Sequence, residues 1–221
     1  MEITLSEVKD IATIAKPVID PLINTFITPH IKKLEKWLIE KGIQKKVVDG
    51  FIEKKFDNYL QRAYSNFSSM NILVFPNQQI NIKEIYVPLS IVCSKNQESY
   101  RIDSFDMKIL EKYKRVLISD SAGMGKSTLS KWIALKLIED TLSIPVLIEL
   151  KRLTSDNKLI DEIFKQIDPL DKSFDKELIF KFLEFGQFTI LLDGFDEYNM
   201  SLGAVLLRIS KTLFRKQEKM G

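Results

Sequence analysis

Asp120-Ser-Ala-Gly-Met-Gly-Lys-Ser-Thr128 is the most informative segment of this 221-residue sequence. Gly123 and Gly125 let the backbone curl so that successive N–H groups converge on one point. A helix opening at Lys126 sets the positive end of its dipole at the same place. Such a cradle suits phosphate oxygens, with a lysine and hydroxyls beside it. The motif carries meaning only between a strand and a helix. Both flanks are expected: Arg115–Ser119 reads as a short buried strand, and the residues from about Lys126 to Glu139 as a helix.

Each position in the loop has an assigned role. Ser121, Ala122, Gly123, Met124, Gly125, Lys126, Ser127 and Thr128 are expected to surround the phosphates of a nucleoside triphosphate, ATP or GTP. Lys126 reaches the β- and γ-phosphates, and the Ser127 hydroxyl ligates Mg²⁺. The full pattern G-x-x-x-x-G-K-[ST] asks for glycine where this chain has Asp120. Aspartate tolerates left-handed geometry better than most residues, so the turn is expected to survive, with weakened affinity.

Farther along, Ile190-Leu-Leu-Asp-Gly-Phe-Asp-Glu197 supplies an acidic strand end. The apolar run crosses a core, and Asp193 emerges at the C-terminal end, where α/β sheets bind ligands. A carboxylate there holds Mg²⁺, usually through a water. Asp196 and Glu197 follow closely enough to orient or activate a water near the γ-phosphate, and are the expected catalytic residues.

The surrounding pattern defines the fold class. Ile144–Leu150 and Phe188–Asp193 are further apolar strands, with helices over Leu159–Ile167, Lys176–Leu183 and from about Leu202 onward. Apolar strands alternating with helices indicate an α/β parallel sheet covered on both faces. Residues 1–70 read as a helical N-terminal region. Pro17, Pro21 and Pro29 are expected to break its first stretch; Ile31, Leu34 and Leu38 then keep helical spacing. Ile52, Phe56, Leu60, Ala63 and Phe67 mark a longer helix. Residues 71–112 read as short strands (Ile72–Phe75 and Ile85–Val92, separated by Pro76 and Asn77) and a linker with a polar loop at Lys95–Ser99. Residues 113–221 carry the phosphate motifs.

Composition narrows the classes. The net charge is +3, from 33 basic and 30 acidic residues, and no nucleic-acid site is evident. Cys93 is the only cysteine, which fits a reducing, cytoplasmic setting. No apolar run approaches the ~18 residues of a membrane helix. His30, the only histidine, has no Cys or His partner for a metal site.

The segments S-A-G-M-G-K-S-T-L, I-P-V-L-I-E-L and L-L-D-G-F-D-E together resemble the NACHT family of signal-transducing P-loop NTPases, of the STAND class. Phe56–Leu60 and Ile85–Leu89 are similar, more weakly, to the helical segment ahead of bacterial NACHT modules. The resemblance implies Lys126 and Ser127 for phosphate and Mg²⁺, Asp193 for Mg²⁺, and Asp196 or Glu197 for hydrolysis. It implies an ATP-driven switch whose nucleotide state controls self-oligomerisation and an effector or sensor partner, in immunity or defence. In the family a further core strand lies between the first and third strands named here, so the sheet is expected to be incomplete. The sequence accordingly reads as an N-terminal portion of a larger switch or as a shortened product. Two alternatives stay open: a module that binds nucleotide without turnover, and a metabolic P-loop kinase.

Overall fold

The computed structural model describes residues 21–42, 56–72, 75–103, 108–113, 115–154, 157, 159–169, 179–180, 182–183 and 186–194. Its centre is a helix, α5 below, that is apolar nearly all the way round. Leu129, Trp132, Ile133, Ala134, Leu135, Leu137 and Ile138 are buried on it, so neighbours cover several of its faces.

The elements run α1 (Pro21–Glu40), α2 (Asp57–Ser68), β1 (Ser69–Ile72), β2 (Phe75–Asn81), α3 (Ile82–Ile85), β3 (Leu89–Val92) and β4 (Ser99–Ile102). Then follow α4 (Lys108–Tyr113), α5 (Lys126–Glu139), β5 (Ile144–Glu149), a 3₁₀ turn (Leu150–Arg152), α6 (Leu159–Ile167) and β6 (Phe188–Asp193). α5 packs against β5 and β6 and against α1 and α2, while α6 lies on β5.

β5 and β6 pair in parallel, from Ile144↔Phe188 to Glu149↔Asp193. Within β5, Val146 and Ile148 are fully buried. Pro145 cannot donate to a ladder, yet it sits inside this strand. The Leu147 carbonyl, two residues on, accepts from the Gln166 side chain, and the Pro145 carbonyl from the Tyr59 hydroxyl at 2.6 Å. Residues 145 and 147 therefore direct their backbone groups away from β6, where a missing N–H costs no ladder bond.

The expected strand at Arg115–Ser119 does not form. These residues have no regular structure, and Val116 and Leu117 are 44% and 62% exposed. A strand exists through its neighbour's hydrogen bonds, and among the described residues no strand pairs with this one.

Other expectations shift by smaller amounts. Pro29 does not break α1, a continuous helix of 20 residues. Pro29 and Thr25, whose carbonyl loses its i+4 donor, are both exposed, so water can satisfy that carbonyl. Pro76 and Asn77 lie inside β2, where the antiparallel register with β1 is irregular and asks less of a proline. Ile85 ends a helical turn instead of starting a strand, and the polar loop at Lys95 is the tip of a β3–β4 hairpin. The expected stripe holds: Phe56, Leu60, Ala63 and Phe67 are buried. Of the helix expected over Lys176–Leu183, positions 179–180 and 182–183 are helical. The expected helix after Leu202 lies outside the described residues, as does Ile52.

The N-terminal helices are bonded directly to the sheet and its flanks. Trp37, Phe56, Phe182 and Phe188 form one aromatic cluster, with ring centroids 5.1–6.1 Å apart. Arg62 donates to the Gln166 and Ile167 carbonyls at the end of α6, and Lys33 to the Thr141 carbonyl after α5. Among the described residues no helix is long and apolar enough to cross a membrane.

Candidate functional site

The loop before α5 is built on its glycines. Gly123 (φ 81°) and Gly125 (φ 80°) both occupy the left-handed region that side-chain-bearing residues avoid. Gly125 is the N-cap of α5, and its carbonyl accepts the Leu129 N–H at 2.8 Å. The N–H groups of the first helical turn lack intrahelical partners, an arrangement that suits an anion.

Lys126 folds back over the loop. Its Nζ donates to the Asp120 carbonyl at 2.9 Å and the Ser121 carbonyl at 3.0 Å. Those contacts hold the ammonium above the ring that residues 120–126 trace. Ala122, Met124 and Thr128 lie on the same loop and first turn, with Met124 55% exposed.

Asp120 corrects one expectation. Among the described residues, positive φ outside glycine occurs only at Gln97 and Thr141, so Asp120 makes no left-handed turn. Its exposed carboxylate instead bonds the next residue, Oδ1 accepting the Ser121 N–H at 2.7 Å. The departure from glycine therefore occupies one loop donor and leaves a negative charge on the loop.

β6 delivers Asp193 as its last residue, and Gly194 after it takes a left-handed φ of 76°. The Ser127 hydroxyl donates to Asp193 Oδ1 at 3.1 Å. The two residues assigned to a metal, from opposite ends of the motif-bearing region, thus meet directly. Both are hard oxygen donors, the chemistry a small divalent cation takes. Asp196 and Glu197 lie outside the described residues.

One carboxylate of the site was not singled out from sequence. Glu149 ends β5 in register with Asp193, so the two acids stand side by side at the C-terminal edge. The Arg152 guanidinium donates to Glu149 Oε2 at 3.1 Å, and Lys151 stands 3.4 Å from the same oxygen. The bond from Arg152, aided by the charges of Arg152 and Lys151, holds the Glu149 carboxyl below its ordinary pKa. Its signal was present in Ile144–Leu150, since aligning the C-terminal ends of two parallel strands sets their last residues abreast. Leu89 is a second addition: a Cβ placed on Gly125 would lie 3.7 Å from its Cδ1.

A parallel strand pair, a glycine loop leading into a buried helix, and a serine on that helix bonded to a strand-end aspartate together define a P-loop nucleotide-binding NTPase. Residues 114–220 match the family model described as NACHT domain. That part of the chain is similar to the NACHT family, a similarity that implies nucleotide binding with a divalent metal. No curated protein and no solved structure matches the chain.

Proposed function

We propose that the chain is an ATP-binding switch of slow turnover, working with Mg²⁺ in the cytoplasm. The observation that carries this reading is the 3.1 Å contact between Ser127 Oγ and Asp193 Oδ1. The two hard oxygen donors it brings together would hold Mg²⁺ between them, Asp193 directly or through a water.

The loop geometry supports the roles of Lys126, Ser127 and Asp193, and the family resemblance those of Asp196 and Glu197. Lys126 would exchange its two carbonyl contacts for β- and γ-phosphate oxygens, and the amides of Gly123 to Thr128 would cradle the β-phosphate. When bound, Mg²⁺ neutralises charge between the phosphates. Ser127 and Asp193 would hold it, and Asp196 or Glu197 would orient the attacking water. The family's use of such sites supports a signalling role in which nucleotide state sets self-association and contact with an effector or sensor, in defence.

A second reading, nucleotide held without turnover, is favoured by one observation: the Asp120 carboxylate occupies the Ser121 N–H. Calorimetry with Mg²⁺-ATP on wild type and Lys126→Ala tests the binding shared by both. A charge-assisted contact to phosphate is worth ~1.5–3 kcal/mol, so the variant should bind about tenfold more weakly or worse. Equal affinities would overturn the assignment. Phosphate release by wild type, measured against an Asp196→Asn, Glu197→Gln double variant, then separates the two readings. Release that the double variant loses supports the switch; binding without release supports the second reading.

A further inference from the structure

Two contacts and one close approach place residues 82–89 along the length of α5. At its far end, the Glu139 carboxylate has a side chain only 6% exposed and meets Lys83 Nζ at 2.5 Å. Midway, the Tyr86 ring stacks on Trp132, with centroids 4.1 Å apart and planes 13° from parallel. At the phosphate end, Leu89 Cδ1 comes within 3.7 Å of the point a Cβ on Gly125 would occupy.

The spacing explains why the two contacts and the approach of Leu89 coexist. From Trp132 to Gly125 the helix rises about 10 Å. From Tyr86 to Leu89 an extended chain spans about 10 Å as well. Pro88 favours that extension by fixing its own φ and biasing Val87 away from helical geometry. α3 advances less per residue, and the long Lys83 side chain bridges the remainder to Glu139.

The strap is anchored outside α5 too. Lys83 Nζ donates to the Tyr64 hydroxyl at 3.1 Å and lies 5.5 Å from the Phe26 ring centre. Phe26 and Tyr64 stack on each other, joining α1 to α2. Tyr86 also donates to the Ile102 carbonyl at 2.6 Å, which ties the strap to β4.

We infer that residues 82–89 form a strap through which the N-terminal helices position the phosphate loop, with Leu89 as the positioning residue. Gly125 caps α5, and Leu89 Cδ1 stands 3.7 Å from where a Cβ on it would be. Lys126, the next residue, releases its carbonyl contacts when phosphate binds. Ordering of the loop by nucleotide therefore tightens the strap, and the strap passes that order through Lys83 to α1 and α2. The inference rests on the nucleotide reading above.

Hydrogen exchange on the full chain tests it, with and without Mg²⁺-ATP, for wild type, Leu89→Met and Leu89→Ala. In wild type and Leu89→Met, ATP should slow exchange both in residues 121–128 and at the amides of Val87 and residues 89–92. In Leu89→Ala the loop should remain protected while slowing of the strap falls, and ATP should bind roughly fivefold more weakly, a modest change in residual affinity. A role confined to stability would lower the melting temperature without changing how strap exchange responds to ATP, and that result overturns the inference. Loop protection without strap protection in wild type also overturns it and leaves the nucleotide reading standing. Protection of neither segment overturns both. Should Leu89→Ala unfold, the wild-type comparison still decides whether the strap responds to nucleotide.

Discussion

His30 Nε2 donates to the Ser143 carbonyl at 2.9 Å, fastening α1 to the turn that leads into β5. The ring is 2% exposed, and among the described residues its buried Nδ1 has no hydrogen-bond partner. Burial pushes the imidazole below its ordinary pKa of 6.5, the backbone bond opposes that shift, and Lys33 adds to it.

The first prediction is a pH dependence. A histidine kept neutral in the folded state but able to protonate when unfolded favours unfolding below the unfolded pKa. Its destabilising effect is thus absent above pH 6.5, and stability falls as the pH drops below that value. His30→Gln, which can still donate to the Ser143 carbonyl, should remove this component. Urea titrations of wild type and variant between pH 5 and pH 8 check it, the range being set by the ordinary histidine pKa of ~6.5. Parallel pH profiles would reject it.

The second concerns the metal. Asp193→Asn keeps an acceptor for Ser127 but loses the charge that attracts a divalent cation. Mg²⁺-dependent tightening of ATP binding should shrink by about tenfold, while binding in a chelator should change little. Calorimetry at fixed ATP and varied Mg²⁺ measures this. An unchanged Mg²⁺ midpoint would remove Asp193 from the metal site.

The third concerns the loop's one departure from pattern. Asp120→Gly releases the Ser121 N–H now held at 2.7 Å and removes a negative charge from the phosphate site. Triphosphate should then bind several-fold more tightly, since one loop donor gained is worth about 1 kcal/mol. The gain should be larger for ATP than for AMP, because the charge opposes the outer phosphates. If affinity falls, the Asp120 carboxylate is instead stabilising the loop that Lys126 closes.

The parts of this architecture that could be read in sequence are those whose signals are local. α5 starts at Lys126 and ends at Glu139, where glycine and apolar periodicity had set it, and β6 covers the expected Phe188–Asp193. The meeting of Ser127 with Asp193 was implied by two motifs, each fixed at the end of its own element. Arg115–Ser119 failed because a strand depends on a partner that no local pattern reports. Pro29 misled because a proline's effect depends on whether the orphaned carbonyl meets water. The approach of Leu89 to Gly125 and the pairing of Glu149 with Asp193 join distant segments, and only the folded chain sets them side by side.

The last prediction tests the anchor at the far end of α5. Glu139 is buried beside three donors: Lys83 at 2.5 Å, Lys136 at 2.7 Å and the Tyr64 hydroxyl at 2.9 Å. Burial alone would raise its pKa; the bonds from Lys136, Lys83 and Tyr64 outweigh that and hold it below 4.5. A depressed carboxyl contributes stability above its unfolded pKa, and the contribution is lost as the pH falls through the lower folded value. Glu139→Gln should therefore destabilise the protein near neutral pH by about 2 kcal/mol, the scale of hydrogen bonds to a charged group. For a chain of this size that corresponds to a fall in Tm of roughly 4–8 °C. The difference should narrow below about pH 4.5, where the wild-type carboxyl begins to lose its charge too. Melting curves across that range decide the matter. An equal gap between the two proteins at every pH would mean that Glu139 acts through packing and not through its charge.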